Sequence, residues 1–119
     1  MGTFRVAIEV GASEHGPLEP VEVLVDTGAT YTVLPRMLLQ GLGVLPHTRA
    51  RFVLADGSEV ERELGRAWIR IDGHREYSLV VFGDAALLGA VTLEEFRLAP
   101  DPVSQRLVPV PALMMRFAA

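Results

Sequence analysis

The sequence contains no cysteine and is short of positive charge. The absence of cysteine excludes disulfide bonds, zinc-thiolate sites, iron-sulfur clusters and cysteine nucleophiles. Eleven basic residues against fifteen acidic ones leave a formal net charge of -4, whereas a sequence-independent phosphate binder needs clustered cations. No run approaches the ~20 apolar residues of a membrane helix, and the start lacks the basic and apolar pattern of a signal peptide. We therefore expect a cytoplasmic protein without a nucleic-acid or membrane partner.

The length of 119 residues fits a single domain, 1–119. A chain of this size can bury roughly two-thirds of the surface that it exposes when unfolded, so it can form one core. A mean hydropathy of +0.30 is high for so small a protein. We expect a second copy of the chain to cover part of this apolar surface.

Apolar and polar residues alternate over residues 4–10 and again over 21–25, which is typical of half-buried strands. Farther along, Asp-Gly pairs at 56–57 and 72–73 separate extended runs. Asp-Gly in this setting is the strongest short-range signal of a hairpin.

The helical patterns are few and short. Pro35 can open a helical turn that ends at Gly41 or Gly43. Residues 91–98 are the best helix candidate, with Thr92 as the predicted N-cap. Together with the strand patterns they predict a mostly antiparallel β domain with one or two short helices, of closed-barrel or sandwich type.

A carboxylate stands directly after the second predicted strand, in the segment Asp26-Thr27-Gly28-Ala29-Thr30. The glycine permits a sharp turn and the close approach of another chain. Asp26 is thereby placed at the mouth of an apolar sheet. Taken alone, Asp-Thr-Gly is most simply a turn.

The elements around this motif follow one another in a specific order. The strand and the motif are followed about thirty residues later by the first Asp-Gly hairpin, and then by Leu87-Leu88-Gly89-Ala90 before the second helix. Over residues 6–98 this order resembles the retropepsin-like aspartic proteases, and residues 82–110 look like small bacterial members. The resemblance implies a closed antiparallel β-barrel of acid-protease type.

The same resemblance implies an active site shared by two chains. Pepsin-type chains carry two Asp-Thr/Ser-Gly motifs, whereas this chain has one. Asp26 would therefore meet its equivalent in a homodimer, with Thr27 bonding across the pair and Gly28 completing the catalytic motif. Two carboxylates roughly 3 Å apart repel by about 5 kcal/mol at an effective dielectric constant of about 20, so the pair keeps one proton.

The substrate implied by the resemblance is an extended peptide or an unfolded protein. The hairpin over residues 52–64 would be the flap that closes over it. No cofactor and no metal is implied. The predicted substrate-binding residues lie beside the motif, at the flap tip and in the later element: Ala29, Thr30, Leu54, Ala55, Asp56, Gly57, Ser58 and Leu88.

Three departures from retroviral members bear on the dimer. Thr30 and Ala90 occupy places where those enzymes commonly carry an acidic residue and an arginine that form ion pairs. The first strand begins almost at Met1, which leaves no room for an N-terminal interface strand. We therefore expect residues 101–119 to form a C-terminal dimer-interface tail, supplied mainly by residues 107–117.

A second hypothesis from another class is a catalytically silent homodimeric peptide-binding or scaffold domain with the same fold, in which Asp26 caps a turn. The alternating Glu59, Glu61 and Glu63 predict a solvated acidic face on the flap, which would disfavour acidic substrates. None of the three histidines has a spaced carboxylate partner, so no metal site is expected.

Overall fold

A computed structural model of the chain describes residues 3–111. Within these residues the chain forms nine strands and two short helices. They are β1 Arg5–Gly11, β2 Glu19–Val25, β3 Thr32–Pro35, α1 Arg36–Leu42, β4 Pro46–Val53, β5 Glu59–Ile71, β6 His74–Gly83, β7 Leu87–Leu88, α2 Ala90–Phe96, β8 Leu98–Asp101 and β9 Arg106–Pro109. The prediction of a mainly β domain with one or two short helices is confirmed.

Seven of these strands form one sheet in the order β1-β2-β7-β3-β6-β5-β4, and β1 also pairs with β5. The prediction of a mostly antiparallel sheet is confirmed, with two exceptions, since β2 pairs with β7, and β3 with β6, in parallel. The short strand β7 comes late in the chain and inserts between β2 and β3, parallel to β2 and antiparallel to β3. The closure of the sheet into a barrel stays a prediction.

The core follows from the period-two pattern of the strands. Alternate residues of β1, β2 and β5 point inward, so Ile8, Val10, Val23 and Ile69 are buried together. Phe82 of β6 joins them. Each such side chain contributes roughly 1.5–3 kcal/mol when it is fully buried. This shared core fixes the register of the strands that carry the motif and the flap.

Both helices end at a residue in the left-handed conformation. The prediction of the N-cap of α2, however, is wrong. Helix α1 ends at Gly43, whose φ of 86° is the left-handed conformation that favours glycine. Helix α2 is preceded by Gly89 as N-cap. Thr92, the predicted N-cap, lies inside α2, because its hydroxyl is used in buried hydrogen bonds instead. No helix of the described part of the chain could cross a membrane.

The predicted interface tail begins within a hairpin whose two strands belong to the same chain. Strand β9 pairs with β8 in antiparallel register, with Ala99 opposite Val108. At the turn, the Asp101 carboxylate accepts from the backbone N–H of Val103 and from the hydroxyl of Ser104. The remaining tail positions, 112–119, lie outside the described residues, and the role of the tail at a dimer interface stays a prediction.

Candidate active site

Asp26 is held by its backbone where β2 ends. Its N–H donates to the carbonyl oxygen of Leu88 at 3.0 Å, and its own carbonyl oxygen accepts from the N–H of Ala29 at 3.1 Å. The first bond continues the parallel pairing of β2 with β7 by one residue. The second closes a tight turn. The main chain of Asp26 is therefore fixed from both sides, which is what a reactive side chain needs for a defined position.

The carboxylate of Asp26 is half-buried and faces its own turn. One of its oxygens, Oδ1, accepts a hydrogen bond from the backbone N–H of Gly28 at 2.9 Å. The other oxygen has no hydrogen bond within residues 3–111. Thr27 is exposed at the tip of the turn.

Asp26 also lines a cavity of about 270 Å³. Asp26 and Thr27 form one wall, and Pro100 and Pro102 from the β8–β9 hairpin form another. The remaining wall comes from Thr3, Phe4 and Val25. The hairpin of the tail is thus part of the surroundings of Asp26, a juxtaposition that the sequence did not indicate.

The residues after Gly28 are bound to the start of α2. The N–H of Ala90 donates to the carbonyl oxygen of Ala29 at 2.8 Å, and the N–H of Val91 donates to that of Thr30 at 2.9 Å. These N–H groups lack partners within a helix because they belong to its first turn. The carbonyl oxygens of the motif therefore provide acceptors for the first N–H groups of α2, and these bonds hold the motif in place.

Gly89 is the point of closest approach in this arrangement. A Cβ atom at this position would lie 2.4 Å from the carbonyl carbon of Tyr31, a distance that no side chain can occupy. The N–H of Gly89 donates to the hydroxyl of Thr32 at 3.0 Å in a buried environment. Glycine is required here because the neighbouring backbone leaves no space for a Cβ atom. Backbone conformation is not the reason, since a φ of -96° is accessible to any residue.

The side chain of Leu88 belongs to the core. It is 0% exposed, so a contact of Leu88 with substrate stays a prediction, and only for its backbone. The adjacent Leu87 is half-buried, and successive side chains of a strand point to opposite faces. Only the carbonyl oxygen of Leu88 serves the site, by accepting from Asp26.

The predicted flap is a hairpin of β4 and β5 with its tip at residues 54–58. The tip closes through the N–H of Leu54, which donates to the carbonyl oxygen of Ser58 at 2.8 Å, and Gly57 has a φ of 86°. The Asp56 carboxylate accepts from the hydroxyl and the N–H of Ser58, and these bonds hold its pKa below the ordinary value of 3.8. Ala55 is exposed beside them. No hydrogen bond joins the tip to the Asp26 turn within the described residues.

The base of the flap does reach the segment that follows the motif. The ring of Phe52 in β4 packs edge-to-face against Tyr31, with 6.1 Å between the ring centroids. Such pairs stabilise by about 0.5–1.5 kcal/mol beyond their buried area. Tyr31 directly follows Thr30, so this contact links the flap to the motif.

The acidic stripe on β5 is matched by arginines, which the sequence analysis did not anticipate. Glu61 pairs with Arg49 at 2.8 Å, and Glu63 pairs with Arg36 at 2.6 Å. Glu59 lies 3.7 Å from Arg51. Two of these arginines belong to β4 and one to α1, so the face carries a cation near each glutamate. A preference against acidic substrates stays a prediction.

The three histidines lie on separate elements, in the loop between β1 and β2, on β4 and on β6. Within residues 3–111 no group of three His, Asp or Glu side chains could hold a metal ion. His74 does have a carboxylate partner, since its Nε2 lies 2.6 Å from Glu76. This pair lies on β6, and the distance between neighbouring same-face residues explains it.

Comparisons with known proteins identify a family and a fold. A sequence profile described as aspartyl protease matches residues 8–91, which include the Asp26 turn, the flap and β7. No curated protein matches the chain. Among solved structures, EIAV protease complexed with the inhibitor HBY-793 aligns with a TM-score of 0.55 and 22% sequence identity, over 77% of this chain and 86% of that chain. A likeness at this identity shows a shared fold, that of a retroviral protease.

Proposed function

Because this chain belongs to the aspartyl protease family, we propose that it is an aspartic endopeptidase of retropepsin type that acts as a homodimer. The observation that carries the proposal is the Asp26 turn. Its backbone is fixed by Leu88 and Ala29, and the half-buried Asp26 borders a cavity. The profile match and the fold support the chemistry, and the homodimer is inferred from the single motif.

One Asp26 is insufficient for the reaction, and a symmetry mate supplies the second. In a twofold dimer the two turns face each other, and each chain contributes the same residues. Carboxylates roughly 3 Å apart repel by about 5 kcal/mol at an effective dielectric constant of about 20, so one proton is retained between them. A shared proton is an established property of aspartic proteases rather than a finding about this chain.

The pair then combines a base and an acid at one place. The ionised Asp26 accepts a proton from a bound water molecule, whose oxygen attacks the carbonyl carbon of the peptide. The protonated Asp26 of the partner subunit donates to the carbonyl oxygen. A tetrahedral intermediate forms and collapses with protonation of the leaving nitrogen, and no covalent bond to the enzyme is made. Thr27, exposed at the tip of the turn, is free to bond to the partner's backbone.

We assign the substrate to the space between the Asp26 turn and the flap. An extended peptide would bond to the carbonyl oxygen of Gly28 and to the hydroxyl of Thr30, which is exposed, and would lie against Ala29. The flap tip, residues 54–58, would close over it and exclude water. The half-buried Leu87 replaces Leu88 as the side chain of β7 offered to substrate. The sheet would close as a barrel behind this space through the β1–β5 pairing.

The test is cleavage of an unstructured protein between about pH 4 and 7 by the purified chain, with pepstatin as inhibitor. Asp26→Asn should abolish cleavage while it preserves the fold, since an amide can still accept the bond from Gly28. Asp84→Asn, at an exposed loop position, is the matched control and should retain activity. Cleavage that survives Asp26→Asn would overturn the proposal.

One observation favours the silent scaffold as the second candidate. The Asp26 carboxylate caps the N–H of Gly28, a local bond that an aspartate in an ordinary turn also makes. A homodimer that binds extended peptides with unchanged affinity after Asp26→Asn, and that cleaves none of them, would support this candidate.

A further inference from the structure

Four buried or half-buried side chains form a chain of hydrogen bonds beneath the Asp26 turn. The hydroxyls of Thr32 and Thr92 lie 2.6 Å apart, those of Thr92 and Ser78 lie 2.9 Å apart, and Ser78 Oγ lies 2.5 Å from Glu95 Oε1. At the other end, the N–H of Gly89 donates to Thr32 Oγ1 at 3.0 Å. The chain connects β3, α2 and β6, and it ends beside the motif.

The direction of every bond in this chain of hydrogen bonds follows from the groups at its two ends, the carboxylate of Glu95 and the N–H of Gly89. An ionised carboxylate only accepts, so the Ser78 hydroxyl donates to Glu95. A hydroxyl has one proton, so Ser78 must accept from Thr92, and Thr92 must in turn accept from Thr32. Thr32 then has its lone pairs left for the N–H of Gly89. Bonds aligned in one direction polarise and strengthen one another.

The burial of these hydroxyls shows that packing alone does not account for them. Thr32, Ser78 and Thr92 are each 0% exposed, and a buried hydroxyl is unfavourable unless it is bonded. Valine has the shape of threonine and would fill such positions without that penalty. Buried hydroxyls that are hydrogen-bonded fix one specific packing of a core, and here they fix the position of Gly89 and its neighbours.

Gly89 lies between two residues whose backbone bonds to the motif. The residue before it, Leu88, accepts from Asp26, and the residue after it, Ala90, donates to Ala29. A shift of Gly89 therefore moves both contacts of the Asp26 turn at once. A displacement of about 1 Å at a catalytic group can lower a rate about 100-fold.

We propose that Thr32, Thr92, Ser78 and Glu95 are positioning residues that hold the Asp26 turn through Gly89, with Glu95 setting the direction of the chain. The inference rests on the proposed function, because the position matters for the dyad. The four residues touch neither the substrate nor the reacting carboxylate. They act on the turnover rate by keeping Asp26 where its mate can meet it.

The first experiment removes the hydroxyl of Thr92, the middle one of the three, and keeps the shape of the side chain. Thr92→Val should lower kcat at least about tenfold with KM changed less than about twofold, and Thr92→Ser should restore most of kcat. Leu93→Val, a core change in the same helix, is the control for general destabilisation and should leave kcat within about twofold. Equal kcat for Thr92→Val and Leu93→Val would overturn the proposal.

The second experiment tests the terminal acceptor. Glu95→Gln keeps an oxygen that accepts from Ser78, whereas Glu95→Leu removes it. We expect Glu95→Leu to behave as Thr92→Val does, and Glu95→Gln to retain more of kcat. If both variants lower kcat equally, the carboxylate does not act as the acceptor that orders the hydroxyls, and that part of the proposal is wrong.

A readout independent of catalysis separates this proposal from the proposed function. In Thr92→Val the amide of Gly89 should exchange with solvent at least about tenfold faster, and the amide resonances of Asp26 and Gly28 should move, with neither change in Leu93→Val. If the wild-type protein cleaves nothing, the proposed function fails, and these amides alone decide the positioning role. Unmoved amides would contradict it.

Discussion

The backbone N–H of Asp26 donates to the carbonyl oxygen of Leu88 at 3.0 Å. This bond joins the end of β2 to β7, a strand of two residues that lies between β2 and β3. The side chain of Leu88 is buried in the core, so core packing and the position of Asp26 depend on the same residue.

Leu88→Ala should lower the free energy of unfolding by about 2–5 kcal/mol, because it leaves a cavity in the core. Leu87→Ala is the matched control and should have a smaller effect, since Leu87 is half-buried. Urea denaturation of both variants measures the difference. Equal losses would mean that the two side chains do not face opposite sides of β7.

Gly89→Ala should destabilise the protein and abolish proteolysis, because its Cβ would lie 2.4 Å from the carbonyl carbon of Tyr31 and the backbone must move. The control is Gly41→Ala in α1, where a Cβ would meet nothing within 4 Å. In a helix that change should stabilise by roughly 0.5–1 kcal/mol. Thermal unfolding of the pair measures both signs, and a Gly89→Ala protein as stable as wild type would refute the close approach.

Asp56 should titrate below its ordinary pKa of 3.8, chiefly because the Ser58 hydroxyl bonds to its carboxylate and the Ser58 N–H adds to this. The folded tip holds the proton less tightly than the unfolded chain does. These bonds therefore stabilise the tip above pH 3.8 and are lost as the pH falls through the lower, folded value. NMR titration of the carboxyl carbon measures the midpoint. Ser58→Ala should raise it toward 3.8, and a wild-type midpoint at or above 3.8 would contradict the geometry.

The ion pairs along the flap should differ in strength. Arg36 and Glu63 lie 2.6 Å apart and are 39% and 27% exposed, whereas Arg51 and Glu59 lie 3.7 Å apart and are 78% and 57% exposed. Double-mutant cycles should give a coupling of about 1 kcal/mol for the first pair and about 0 for the second. High salt should reduce the first value. A larger coupling for the exposed pair would contradict the account.

Local signals explain what the sequence could predict. The strands around the motif follow from period-two alternation, and the hairpins follow from Asp-Gly turn chemistry. The end of α1 at Gly43 follows from the left-handed conformation that glycine adopts. The motif itself was recognisable because its chemistry is contained in consecutive residues.

Long-range contacts explain what the sequence did not predict. Strand β7 has two residues, too few to show a period, so neither its parallel pairing nor the inward face of Leu88 was apparent. A shift of one residue exchanges the two faces of a strand, and for that reason the sequence pattern did not distinguish Leu87 from Leu88. Thr32 and Thr92 are 60 residues apart in the chain, and a buried threonine in a helix resembles an N-cap when only its neighbours are read.

The most direct test of the shared dyad mixes wild-type chains with Asp26→Asn chains and refolds them together. In a homodimer with one Asp26 per subunit, an equal amount of variant leaves about half of the wild-type chains in wild-type pairs, so cleavage per wild-type chain should fall by about half. With increasing excess of the variant it should approach zero. Cleavage that stays proportional to the wild-type chains alone, at every ratio, would show that Asp26 works without its mate.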